Sequence, residues 1–117
     1  MIVELSVVPI GVGESLSEHV AKAVKIIEKS GFDFKLTAMG TILKVGSFEE
    51  LGKLIDRIVE EMKAECPRIY VVVKADERFK DYDLDYKVKS VEEKMGGKWG
   101  ENGGKLGKVK EKVYKIE

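Results

Sequence analysis

His19 is the only histidine of the chain and Cys66 the only cysteine. One chain therefore has no material for an internal disulfide or for a cluster of paired cysteines. A catalytic thiol needs a basic neighbour. Cys66 stands just before Pro67 at the end of a helical run, which reads as a structural thiol. His19 falls in the first turn of another helix and reads as a solvated residue rather than a base. No Ser-His-Asp arrangement is apparent. Asp76, Glu77, Asp81, Asp83 and Asp85 are clustered, but they lack the glycine and terminal glutamate of a calcium loop. Gly104-Lys105 and Gly107-Lys108 lack the upstream glycine and following Ser/Thr of a phosphate loop. Trp99, set among glycines, reads as an anchor for the chain's tail. No catalytic residue, metal or cofactor is expected from these residues. The remaining pair with chemical meaning is Lys35 and Lys44. It must be placed on its elements before it can be weighed.

Residues 2–10 alternate, with Val3, Leu5 and Val7 on one face and Ile2, Glu4, Ser6 and Val8 on the other. This is a strand, ended by Pro9 and the Gly11-Val12-Gly13 run. Ser15 and Glu18 have capping-box spacing and open a helix whose stripe is Val20, Val24 and Ile27; Gly31 stops it. Residues 32–38 and 41–45 read as a hairpin with its turn at Met39-Gly40. Ser47 and Glu50 cap a second helix, with Leu51, Leu54, Ile55, Ile58, Val59 and Met62 at helical spacing up to Pro67. Residues 68–76 alternate as a fourth strand, and Leu84 to Met95 reads as a short third helix. The order β-α-β-β-α-β predicts an α+β, ferredoxin-like fold, with a four-stranded antiparallel sheet and two helices on one face. Residues 1–95 make that domain. Residues 96–117 are a Gly/Lys-rich extension, whose first 12 residues hold six of the chain's 12 glycines.

The helices leave one sheet face open. Ile2, Val8, Ile42, Tyr70 and Val72 make that face too apolar for plain solvent. It predicts a homodimer or homotetramer joined through the open face, with Val8, Ile42, Tyr70, Val72 and Arg78 at the interface. With the turn at Met39-Gly40, Lys35 and Lys44 oppose each other on this face, unfavourable by up to ~1 kcal/mol. Glu4, Asp76, a partner's carboxylate or a bound anion would offset that; otherwise the amines reach into water.

Lysines and arginines number 21, as do aspartates and glutamates, for a formal net charge of zero. That gives no reason to expect nucleic acid or an anionic membrane as partner, and Tyr70 alone does not make a base-stacking face. The absence of glutamine, one asparagine and abundant Lys and Glu fit a heat-adapted protein. The N-terminal apolar run is too short to span a membrane and lacks a basic leader, so a cytoplasmic location is expected.

Four stretches together carry a resemblance: VVPIGVGESLSEHVAKAV from Val7, SGFDFKLTAMGTIL from Ser30, VVVKADERFKDY from Val71 and KVKSVEEKM from Lys87. The chain resembles the small thiamine-binding-protein family, relatives of the YkoF-like proteins, over about residues 2 to 95. The resemblance implies a ferredoxin-like fold, dimers pairing into tetramers through their sheets, and a small-ligand pocket at a subunit interface near the hairpin tip. On that reading Pro9, Ile10, Met39 and Thr41 shape the pocket. Thr37, Lys44 and Asp76 supply polar contacts, and Arg78 bridges subunits. The ligand implied is thiamine or a related pyrimidine-containing compound. Ala38 stands where the family usually has proline, and Lys44-Val45 where it has Glu-Gly; Lys44 suits an anionic relative better than a cation.

Two other readings stand beside it. One is an enzyme, or enzyme accessory, acting on a small anion clamped by Lys35 and Lys44. The other is an ACT-like module sensing amino acids through Gly11 and Gly13.

Overall fold

The alternation of the first strand is visible in its burial: Val3 is 0% exposed and Leu5 2%, while Ile2, Glu4 and Ser6 between them are half-buried. The computed structural model describes residues 1–14, 16–80 and 82–96. The elements run β1 (Ile2–Ile10), α1 (Leu16–Ser30), β2 (Phe34–Thr37), β3 (Gly40–Lys44), α2 (Phe48–Met62), β4 (Arg68–Asp76) and α3 (Tyr86–Lys94). The strands form one antiparallel sheet in the order β2-β3-β1-β4. The fold is ferredoxin-like α+β, as the element order predicted.

α2 forms as its sequence dictates. The Ser47 hydroxyl accepts the Glu50 amide N–H at 3.2 Å, and the Glu50 carboxylate accepts the Gly46 N–H at 2.9 Å. Leu51, Leu54, Ile58 and Met62 are buried from its apolar stripe. They close over Val3, Leu5 and Leu43 of the sheet and Ala23 and Ile27 of α1. Each such large aliphatic side chain contributes roughly 1.5–3 kcal/mol on leaving water. The Ser15 cap expected for α1 lies outside the described residues, as do Asp81, Trp99 and the rest of the extension beyond Gly96.

The hairpin departs from expectation. Its turn is Ala38-Met39, and Gly40 is the first residue of β3. Lys35 opposes Ile42, and Leu36 opposes Thr41. The Lys44 N–H bonds the Asp33 carbonyl oxygen at 3.0 Å. Lys35 and Lys44 are therefore not opposite each other, and the expected repulsion does not arise. The physical reason lies at Gly40, where a Cβ would stand 3.0 Å from the Leu5 carbonyl oxygen. Glycine is suited to the strand position that approaches β1, rather than to the turn.

β1 spans Ile2–Ile10, the bounds its alternation gave, and two other boundaries shift: β2 is shorter than the alternation suggested, and α3 starts at Tyr86. α3 buries no residue. Ion pairs tie its start to both outer strands: Asp85 pairs with Lys35 of β2, and Lys87 lies 3.8 Å from Asp76 of β4.

Candidate functional site

β4 pairs with β1 along its whole length, from Ile2 to Ile10, whereas β3 pairs with it only from Ile2 to Leu5. Past Leu5, β1 outruns the hairpin, and among the described residues its edge on that side carries no strand. Pro9 sits in this stretch, where a strand with one occupied side tolerates a residue lacking an N–H.

A pocket of about 210 Å³ opens there, between the bare edge, the N-terminal half of α1 and the hairpin tip. Leu5, Val7 and Pro9 line it from the helix face of β1, and Ser6 and Val8 from the open face. The pocket thus wraps around the strand edge. Leu16, Val20 and Val24 supply its α1 wall, and residues 36–41 its hairpin wall. Among the described residues, no ionisable side chain lines it. Its polar groups are the hydroxyls of Ser6, Thr37 and Thr41 and the main chain. The volume is below the roughly 300–1,000 Å³ usual for small-molecule sites.

Four of the residues read as ligand-binding in the sequence meet here, Pro9, Thr37, Met39 and Thr41, together with Val8, read as an interface residue. Thr37 closes the turn, donating from its hydroxyl to the Gly40 carbonyl oxygen at 2.9 Å and accepting the Met39 N–H at 3.2 Å. Met39 is 81% exposed, so its side chain is not folded onto the core. Ile10 follows Pro9 but does not line the pocket. Lys44 is at the far end of β3, where it and Arg78 line a separate hollow of about 590 Å³. Asp76 is also distant, with Arg78 at 3.5 Å and Lys87 at 3.8 Å. On the open face Val8 faces Tyr70, and Val72 faces Ser6, in register. Ile42 lies between Glu4 and Lys35. Arg78 stands over the Tyr82 ring at 5.2 Å, and Tyr82 stacks on Tyr86 at 4.1 Å.

His19 is not solvated. It is 8% exposed, with Nδ1 3.6 Å from the Cys66 Sγ and 3.6 Å from Glu65 Oε2. Lys22 Nζ lies 2.6 Å from the same Glu65 oxygen. That hydrogen bond holds the Lys22 ammonium above its ordinary pKa and the Glu65 carboxyl below its own. Thiol and carboxylate approach one imidazole nitrogen, whereas a nucleophilic relay places them on opposite ones. The cluster joins α1 to the segment after α2. The signal was present in the sequence: His19, Ala23 and Ile27 recur every four residues, on the buried face of α1. Among the described residues, no group of His, Cys, Asp and Glu could hold a metal ion. Nor is any helix among them long and apolar enough to cross a membrane.

A ferredoxin-like sheet with an uncharged pocket at a bare strand edge is the framework of a small-ligand-binding domain. A family model described as thiamine-binding protein matches residues 3–92, and the chain belongs to that family. Among curated relatives, the UPF0045 protein Mb1933 of Mycobacterium bovis is 35% identical over 78 residues, 67% of this chain and 76% of its own. The UPF0045 protein MJ1052 of Methanocaldococcus jannaschii is 30% identical over 94 residues, 80% of this chain and 93% of its own. The crystal structure of MJ1052 matches with a TM-score of 0.69 at 30% identity, over 77% of this chain and 93% of that one. A Thermotoga maritima protein provisionally assigned to thiamine biosynthesis or salvage matches with a TM-score of 0.68 at 20% identity, over 77% of this chain and 96% of that one; at that identity it supports the fold. The family description is thus one of small-molecule binding.

Proposed function

We propose that this protein binds thiamine, or a related pyrimidine-containing compound, in the pocket beside the bare edge of β1, and that a second copy completes the site. One observation carries the reading. The pocket is lined from both faces of β1, so a molecule resting there is also reachable from whatever covers the open face. Pro9, Met39 and Thr41 form its walls, and Thr37 holds the tip in place. Ile10 extends the wall at the interface. Val8, Ile42, Tyr70, Val72 and Arg78 present the open face to the other copy, in a homodimer or homotetramer. The family description supports thiamine as the ligand. Lys44 does not oppose it, because its ammonium belongs to the other end of β3. On this geometry Lys44 and Asp76 act outside the pocket.

The clamp reading, in which Lys35 and Lys44 grip an anion, lacks the face-to-face lysines it needs, since Lys35 opposes Ile42. Gly11, the support for an amino-acid sensor, has a packing role instead: a Cβ there would meet the Pro67 ring at 2.7 Å.

Calorimetric titration with thiamine tests the proposal. Saturable binding is expected, with Lys44→Glu changing the affinity by no more than about twofold, because screening is strong over that separation. No heat at millimolar thiamine from a folded protein would overturn it.

A further inference from the structure

The direction of the main-chain groups along β1 can be followed from its start. The Val45 N–H donates to the Met1 carbonyl oxygen at 3.0 Å, and the Met1 ammonium donates to the Val45 carbonyl oxygen at 3.0 Å. Further on, the Leu5 carbonyl oxygen is the atom that a Cβ on Gly40 would meet at 3.0 Å. Met1 and Leu5 therefore both turn their polar groups toward β3. In an antiparallel strand a residue's N–H and C=O share one side, and the next residue's share the other. Val7 is in phase with Leu5, so its N–H and C=O point to the same side, past the end of β3. Pro9 is the next in phase and has no N–H to leave unpaired there. Among the described residues nothing pairs with the Val7 N–H or C=O across this edge, and Val7 lines the pocket. A second observation points into the same pocket. Thr41 lines it and is 5% exposed, yet its hydroxyl has no hydrogen-bond partner among the described residues. A buried hydroxyl left in that state destabilises the free protein, so a ligand that bonds it gives it a purpose.

We infer that the Val7 main chain and the Thr41 hydroxyl read the ligand's aminopyrimidine ring, an inference that rests on the pocket being the thiamine site. The Val7 N–H donates to a ring nitrogen, and the Val7 carbonyl oxygen accepts from the amino group beside that nitrogen. The Thr41 hydroxyl donates to the ring's other nitrogen. A strand residue with both groups on one free side offers a donor and an acceptor next to each other. The edge of a 4-aminopyrimidine carries the complementary pair, a ring nitrogen that accepts and an amine that donates. A 4-oxopyrimidine carries the inverse pair, an oxygen that accepts and a ring N–H that donates. Set against Val7 in the same pose, each of its groups meets its like, and two buried polar groups of the site lose their partners. The site therefore selects amino over oxo rings, and it does so with backbone and hydroxyl groups alone. That suits a pocket whose lining, among the described residues, has no ionisable side chain.

Calorimetric titration of the full chain with thiamine and with oxythiamine, in which an oxygen replaces the 4-amino group, tests it. Oxythiamine should bind about tenfold more weakly or worse. Hydrogen exchange followed by nuclear magnetic resonance should show the Val7 amide slowed about tenfold or more by saturating thiamine. Thr41→Val keeps the shape and removes the hydroxyl. It should weaken thiamine binding about fivefold or more, without lowering the thermal unfolding midpoint of the free protein. Equal affinity for the two compounds, an unchanged Val7 amide, or a Thr41→Val protein that binds thiamine as the parent does would each overturn the inference and leave the pocket as a thiamine site. No binding of thiamine at all would overturn both.

Discussion

The Thr37 hydroxyl donates to the Gly40 carbonyl oxygen at 2.9 Å across the hairpin tip. This contact closes the turn at Ala38-Met39, behind which Leu36 opposes Thr41, and Met39 projects at the mouth of the pocket.

Thr37→Val keeps the side chain's shape and removes both hydrogen bonds to the turn. It should lower stability by about 1 kcal/mol in thermal unfolding. Thr37→Ser, which retains the hydroxyl, should recover most of that loss.

Met39 is 81% exposed, so the fold hardly depends on it. Met39→Ala should leave the unfolding free energy within about 0.5 kcal/mol of the parent. If Met39 covers bound ligand, the same change should weaken thiamine binding about tenfold by calorimetry. Equal affinity in both proteins would remove Met39 from the site.

Gly11 has φ +85°, and a Cβ there would lie 2.7 Å from Pro67 Cγ; Gly13 has φ +72° with open space around it. Gly11→Ala should therefore cost more than Gly13→Ala in denaturant titration. A left-handed non-glycine residue alone costs roughly 1–3 kcal/mol, and only Gly11→Ala adds a collision. Equal losses would show that the Pro67 ring moves aside.

The Lys22–Glu65 pair predicts a pH dependence. The Glu65 pKa is lowered in the folded state, so its contribution is present above the unfolded value, roughly pH 4.3, and is lost as pH falls through the folded value. The Lys22 pKa is raised, so its contribution is present below the ordinary lysine range and is lost as pH rises through the folded value. Glu65→Gln should flatten the acid limb of the stability curve. Because both groups are exposed, the effect should be small and should shrink with added salt. An unchanged acid limb would contradict the coupling.

The sequence showed the fold because its signals repeat. The α2 stripe from Leu51 to Met62 and the alternation of β1 each state one face many times over. The hairpin register was less legible, since sliding β2 by two residues keeps every side chain on its face. What decides between the registers is the close approach of Gly40 to Leu5, a contact between distant parts of the chain. His19 was legible and missed, because a stripe drawn through Val20, Val24 and Ile27 passes beside it. The pocket had no local signature. It exists because β1 is longer than the hairpin paired with it, a mismatch visible only once the strands are side by side.

Native mass spectrometry of the full chain, with and without micromolar thiamine, tests the central claim most directly. The account predicts a homo-oligomer that gains thiamine, with adducts lost when the hairpin tip is altered at Thr37 or Met39. An oligomer that takes up no thiamine would contradict the assignment of the pocket. A monomer in both samples would contradict the claim that a second copy completes it.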